Sequence, residues 1–89
     1  MNDEVVSLAL RRAHHAGRTN SFRLTAHALR RMLERDVSRG DIASTLGEAT
    51  SAVAQPGGKW RLEGGADLAG DPLIVVAVIS SGVVVITMF

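Results

Sequence analysis

Hydrophobic residues are spaced differently in the two halves of this chain. The first half carries them three and four positions apart; the second carries alternation and unbroken aliphatic runs. Residues 4–16 read as a helix, with Val5, Leu8 and Ala9 as its apolar stripe, Arg11, Arg12, His14 and His15 beyond it, and Gly17 as its stop. RTNS follows as a loop and FRL as one short strand. Thr25 has the character of a helix cap. After it, Leu29, Met32 and Leu33 recur at the spacing of a buried stripe. At about 100° per residue, His27, Arg31 and Arg35 form a second line on the adjacent face, with Ala28 between the two. Another helix begins in DVSRGDIASTLGEA, where Ser38 and Asp41 have capping-box spacing, Ile42 and Leu46 face inward and Gly47 marks the end.

From residue 51 the period changes. SAVAQ is a strand and QPGG a turn. KWRLE alternates, with Trp60 and Leu62 on one face and Lys59, Arg61 and Glu63 on the other. GGADLAGDP is a loop, and LIVVAVI and VVVITM are strands joined through SSG as a hairpin. Both are apolar throughout, which places them inside the sheet. Helices followed by three or four antiparallel strands make an α+β two-layer domain. Residues 1–89 form one domain, with residues 1–21 as an N-terminal helix and loop and 22–89 as the core. The helices can cover only one face of the sheet, and the open face suggests a second copy as partner.

Composition sharpens this picture in three ways. Hydrophobic residues make up 46% and aromatic residues 3%, so the core is aliphatic. There is no cysteine, which excludes disulfides and thiolate metal sites. The acidic MNDE start and its short apolar run do not suit a signal peptide, and SSG interrupts the C-terminal aliphatic run. The expectation is a cytoplasmic protein with no membrane partner. The net charge of +1 conceals an asymmetry. Residues 11–39 hold eight arginines against Glu34 and Asp36, a local balance of +6, whereas residues 40–89 stand at −3 and residues 1–10 at −2. A basic half can steer a polyanion, and arginine suits bidentate phosphate contacts.

The chemistry this could carry centres on His27. An imidazole titrates near pH ~6.5 and can exchange protons at neutral pH. Arg31 and Arg35, one and two turns on, could bind a phosphate and stabilise the charge of its transition state. Lys59, Arg61 and Arg30 are candidate substrate contacts, and Thr87 is the polar side chain of the last strand. Together these are parts for cleaving RNA without a metal: a 2′-hydroxyl loses its proton and attacks the adjacent phosphorus while arginines hold the oxyanion. Each residue also has an ordinary reading. His27 can be a surface or cap group, the arginines can pair with Glu34, Asp36 or Asp41, Lys59 and Arg61 can solvate a strand, and Thr87 can be structural. His14 and His15 are adjacent and diverge on a helix, so they do not chelate together. Asp67 and Asp71 lack the ligand count of a calcium loop. No cofactor is expected.

The order AHALRRMLERDVSRGDIASTL, GKWRLEGGADLAGDPLIVVAVI, VVVITMF resembles the bacterial domain-of-unknown-function family 4258, over about residues 22–89. That family is thought to be similar to RelE-like ribonuclease toxins, which set a helix layer on a twisted antiparallel sheet and cleave RNA without metal. The resemblance implies a toxin-type ribonuclease neutralised by an antitoxin or immunity protein. It matches His27, Arg31, Arg35, Lys59, Arg61 and Thr87 to the family's polar positions. The rival expectation is a non-catalytic protein-interaction module, or a small domain that binds nucleic acid without cleaving it.

Overall fold

A computed structural model describes residues 3–89. The elements in chain order are α1 (Asp3–Thr19), β1 (Phe22–Leu24), α2 (Ala26–Arg35), α3 (Arg39–Glu48), β2 (Ser51–Gln55), β3 (Lys59–Glu63), β4 (Val75–Ile79) and β5 (Val83–Met88). The α+β class is as the sequence pattern predicts. The sheet differs from it: five strands run in the order β1-β5-β4-β3-β2. Four are antiparallel, and β1 joins β5 in parallel, pairing Phe22 with Val83 and Leu24 with Val85. The two aliphatic strands β4 and β5 are interior in this order: β4 is paired along both edges, and β5 along one edge and the first half of the other.

Partner residues in a ladder share a face, so the register separates the two faces of the sheet. Trp60, Ala77, Val85 and Leu24 stand in one inner row, and Leu62, Val75 and Met88 in the next. Leu62, Val75, Ala77, Val85 and Met88 are fully buried, together with Ile42 and Leu46 of α3. The helices α1 and α3 cover this face. Among the described residues, no helix is long and apolar enough to cross a membrane.

The buried face of α1 is not its largest apolar residues. Val5 and Leu8 are 45% and 39% exposed, and the buried line is Ala9, Ala13 and Ala16. Small side chains let α1 lie closer to the sheet and to α3 than a valine–leucine stripe would. Gly17, expected to stop the helix, lies inside it at this contact. The helix ends two residues later. There the Thr19 hydroxyl donates to the His15 carbonyl at 2.7 Å, and Asn20 turns left-handed at φ 55°. Gly47 is the next-to-last residue of α3, which ends at Glu48, within a residue of the end that the sequence pattern suggests.

The α2 cap is where the pattern places it: the Thr25 hydroxyl accepts from the Ala28 amide at 3.1 Å. The expected buried stripe is corrected. Ala28 is buried and Met32 half-buried, while Leu29 and Leu33 are 50% and 86% exposed. The reason is position: α2 packs against the β5 edge and β1, so a narrow line suffices to seat it. The α3 cap is a full capping box. Asp41 receives the Ser38 amide at 2.8 Å, and Ser38 receives the Asp41 amide at 3.0 Å.

Candidate functional site

The site forms where β1 ends before β5 does. β1 has three residues and β5 has six, so the far half of one β5 edge lacks a strand partner. An open edge needs its carbonyls satisfied. The chain turns at Thr25 and lays α2 along it. The Thr25 amide donates to the Val85 carbonyl at 3.1 Å, and its hydroxyl donates to the Ile86 carbonyl at 3.3 Å. Ile86 is the extra residue of a bulge, since Val76 pairs with Thr87 and Ala77 with Val85. Further along α2, Arg31 Nη2 reaches the Met88 carbonyl in a long 3.5 Å contact. A guanidinium has five N–H donors, so this leaves most of Arg31 for other work.

The bulge restores the outward direction of Thr87. The row Val53, Arg61, Val76, Thr87 crosses the sheet on the face opposite the helices α1 and α3. Phe89 pairs with Ile74 through two backbone hydrogen bonds of 2.9 and 2.8 Å. Its ring lies 5.5 Å from the Arg61 guanidinium carbon, within cation–π range. Arg61 Nε also stands 3.1 Å from Glu63 Oε1, yet it makes no aligned hydrogen bond. The contact is therefore one of charge, between side chains 38% and 34% exposed, and it holds Arg61 loosely. Arg61 thus has a carboxylate neighbour on its own strand, Glu63, which is not among the partners Glu34, Asp36 and Asp41 that the sequence suggests for the arginines. Arg30, Arg31 and Arg35 have none among the described residues.

Arg31, Thr87 and Arg61, drawn from α2, β5 and β3, therefore gather around residues 87–89. His27 is exposed, one turn before Arg31 on the same side of α2, and makes no hydrogen bond within the described residues. Residues three and four apart on a helix are neighbours, so Arg30 and Arg31 flank it. Arg35 is exposed in the last turn of α2. Lys59 is exposed and lies one row away, with Val78, Val84 and Arg23. That row reveals a cation the sequence reading leaves out: Arg23 shares the outer face with Lys59 and Arg61. Its only sequence signal is its central place in FRL, between two residues that face inward.

Several other polar groups prove to be scaffold. Arg39 Nε donates to Asn20 Oδ1 at 2.7 Å, its Nη2 donates to the Phe22 carbonyl at 2.7 Å, and its guanidinium lies 4.1 Å from the Phe22 ring centroid. His14 Nε2 lies 2.6 Å from the Ala49 carbonyl; that oxygen only accepts, so Nε2 carries the proton. Asp67 Oδ1 receives the Ala69 and Asp71 amides, both at 2.9 Å, a loop-closing turn. No group of three or more metal-binding side chains occurs among the described residues.

No curated protein and no solved structure matches the chain. The family model described as Domain of unknown function (DUF4258) matches residues 24–89. That stretch carries α2, α3, β2–β5 and all seven candidate residues and omits α1, whose alanines nevertheless complete the core. On that match the chain belongs to the DUF4258 family.

Proposed function

We propose that this domain is a metal-independent ribonuclease of toxin type with a RelE-like helix-and-sheet architecture, acting in the cytoplasm and held in check by an antitoxin or immunity protein. The observation that carries the reading is the convergence of Arg31, Thr87 and Arg61 on the end of β5, with His27 exposed one helical turn away. A phosphodiester on the outer face would meet the Arg61 guanidinium and the Thr87 hydroxyl. Arg31 would hold the phosphate from the α2 side. His27 would take the 2′-hydroxyl proton as the oxygen attacks phosphorus, and the 5′-oxygen would leave with a proton from solvent or from the imidazolium. Arg30, Arg35, Lys59 and Arg23 would guide the flanking phosphates.

The test is incubation of the wild type and His27→Ala with total RNA in excess chelator, followed on a gel. Cleavage by the wild type alone supports the reading. No cleavage by either folded protein overturns it.

A second reading has its own observation. Leu29 and Leu33 are 50% and 86% exposed on α2, and Val53 and Phe89 are 44% and 43% exposed on the outer sheet face. Exposed apolar groups on neighbouring elements suit a protein-interaction module whose partner is another chain or a second copy.

A further inference from the structure

A second cationic place lies away from the α2–β5 site. A cleft of about 420 Å³ opens between α1 and the hairpin turn joining β4 to β5. Arg11, Arg12 and His15 stand on its helix side, and Ser21, Ser81 and Gly82 face them. Leu8, Ala16 and Val83 make an apolar part of its wall. No residue lining it carries a carboxylate. The acidic pair Asp3 and Glu4 borders a separate hollow further back along α1, shared with Leu8 and Arg11.

The cleft has fixed and free parts. Arg12 donates to the Ser80 carbonyl, which ties the hairpin turn to the helix. The Ser80 amide donates to the Gly82 carbonyl at 2.9 Å, closing the turn. Ser21 Oγ lies 2.6 Å from the Thr19 hydroxyl, which itself donates to the His15 carbonyl, so Ser21 donates that hydrogen bond and keeps lone pairs free. The Arg11 and His15 side chains are exposed and make no hydrogen bond among the described residues. They are four residues apart on one helix, so both point into the same opening. A volume in this range suits a small ligand, and its lining mixes a few convergent polar groups with apolar wall. On the far side of the turn, a hollow lined by Arg23, Ser80 and Ser81 continues the basic surface.

We infer that this cleft binds the phosphate of a nucleotide. Arg11 and His15 hold the phosphate oxygens, the Ser81 hydroxyl donates to them, and the Leu8–Val83 wall receives the base or sugar. The same chemistry could be presented by a free nucleotide or by the 5′-phosphate end of an RNA strand. The inference does not rest on cleavage at the α2–β5 site, and either could fail without the other.

The experiment is an amide-shift titration of the isotope-labelled full chain. The probes are AMP, adenosine, and one short RNA with and without a 5′-phosphate. AMP or the 5′-phosphorylated RNA should move the amides of His15, Ser81 and Gly82, and adenosine or the unphosphorylated RNA should bind at least about tenfold more weakly. AMP active alone identifies the free nucleotide, and the phosphorylated RNA active alone identifies the strand end. Arg11→Gln/His15→Gln should weaken the active probe about tenfold or more, with an unchanged circular dichroism spectrum. Arg18→Gln, which removes a charge from α1 outside this cleft, should change affinity less than twofold. Equal binding of adenosine and AMP, shifts confined to other residues, or an equal loss in Arg18→Gln would overturn the assignment.

Discussion

Gly17 of α1 and Gly47 of α3 meet backbone to backbone. A Cβ on Gly17 would fall 2.4 Å from the Gly47 amide nitrogen and 2.6 Å from the Ala43 carbonyl oxygen. Neither atom can rotate away, because both belong to helix backbone. Ordinarily glycine to alanine in a helix interior gains about 1 kcal/mol. Here the helices would have to separate, and overpacking costs roughly 1–3 kcal/mol. Gly17→Ala should therefore lower the urea midpoint. Gly47→Ala is its control, since a Cβ there meets Arg18 Cγ at 3.7 Å and the Arg18 amide nitrogen at 4.0 Å, both ordinary contacts. That variant should match or exceed wild-type stability. Wild-type stability in Gly17→Ala would mean that the two helix backbones do not approach this closely.

Asp41 links three segments: it caps α3 through the Ser38 amide and also receives the Leu68 amide at 3.0 Å from the loop before β4. These hydrogen bonds, first from Ser38 and then from Leu68, hold its carboxyl below the usual value of 3.8. A folded-state value below the unfolded one means that the charged form stabilises the fold. The contribution is complete above 3.8 and is lost as the pH falls through the lower folded-state value. Asp41→Asn should cost about 1 kcal/mol near neutral pH, the usual scale for a cap. Its deficit against wild type in urea titrations should shrink as the pH is taken through and below 3.8. A pH-independent deficit would assign the effect to packing and not to the carboxylate.

What was legible in the chain was local. Ser38 and Asp41 are three residues apart, so their reciprocal bonds follow from spacing alone, and the alternation in KWRLE places Leu62 inside and Arg61 outside. Two kinds of feature were not legible. Hydrophobicity ranks leucine above alanine, but the seating of α1 on the sheet and α3 is limited by how closely its backbone can approach them. So Ala13 and Ala16 are buried while Leu8 is not. Likewise β1 finds its parallel partner in β5, which follows it only after two helices and three strands, and three residues carry no signal of such a distant pairing. The candidate site divides in the same way. The His27–Arg31–Arg35 line is local helix geometry. That Arg31 would reach the Met88 carbonyl, and Arg61 the Phe89 ring, depends on where β1 stops.

Arg39 is the clearest structural arginine in the basic half. Its planar fork serves Asn20 Oδ1, the Asn20 carbonyl at 3.2 Å and the Phe22 carbonyl at once, while lying over the Phe22 ring. Lysine keeps the charge but cannot spread it across three acceptors. Arg39→Lys should cost about 1.5–3 kcal/mol, the scale of losing a hydrogen bond from a charged donor. Amide exchange should rise first in β1, whose outer edge this side chain protects. An unchanged denaturation midpoint would show the arrangement to be dispensable.

Leu33 tests the rival to an enzyme. Its side chain is 86% exposed, so it contributes little to the monomer's core. Leu33→Glu should leave thermal stability within about 0.5 kcal/mol of wild type, as surface substitutions do. If α2 docks a protein, the same change should abolish self-association or partner capture in sedimentation measurements and leave any RNA cleavage intact. Loss of both together would merge the two readings into one surface.

For the ribonuclease reading, three substitutions should separate by role. His27→Ala should reduce the rate of RNA cleavage by about 10²–10⁴ with no change in folding, since the imidazole is exposed and holds nothing in place. Arg61→Gln should act on both KM and kcat: it removes a phosphate contact, and it also releases Phe89 and Glu63, which the guanidinium now holds. Thr87→Val keeps the β-branched strand shape and removes only the hydroxyl, so a fall in kcat at constant stability would place that hydroxyl on the reacting phosphate. Arg31 is less clean, because its Met88 contact makes it part of the edge that α2 seals. Arg31→Lys should therefore lose stability as well as rate. If His27→Ala cleaves RNA as fast as wild type while Arg61→Gln does not, the outer face binds the strand and the base lies elsewhere.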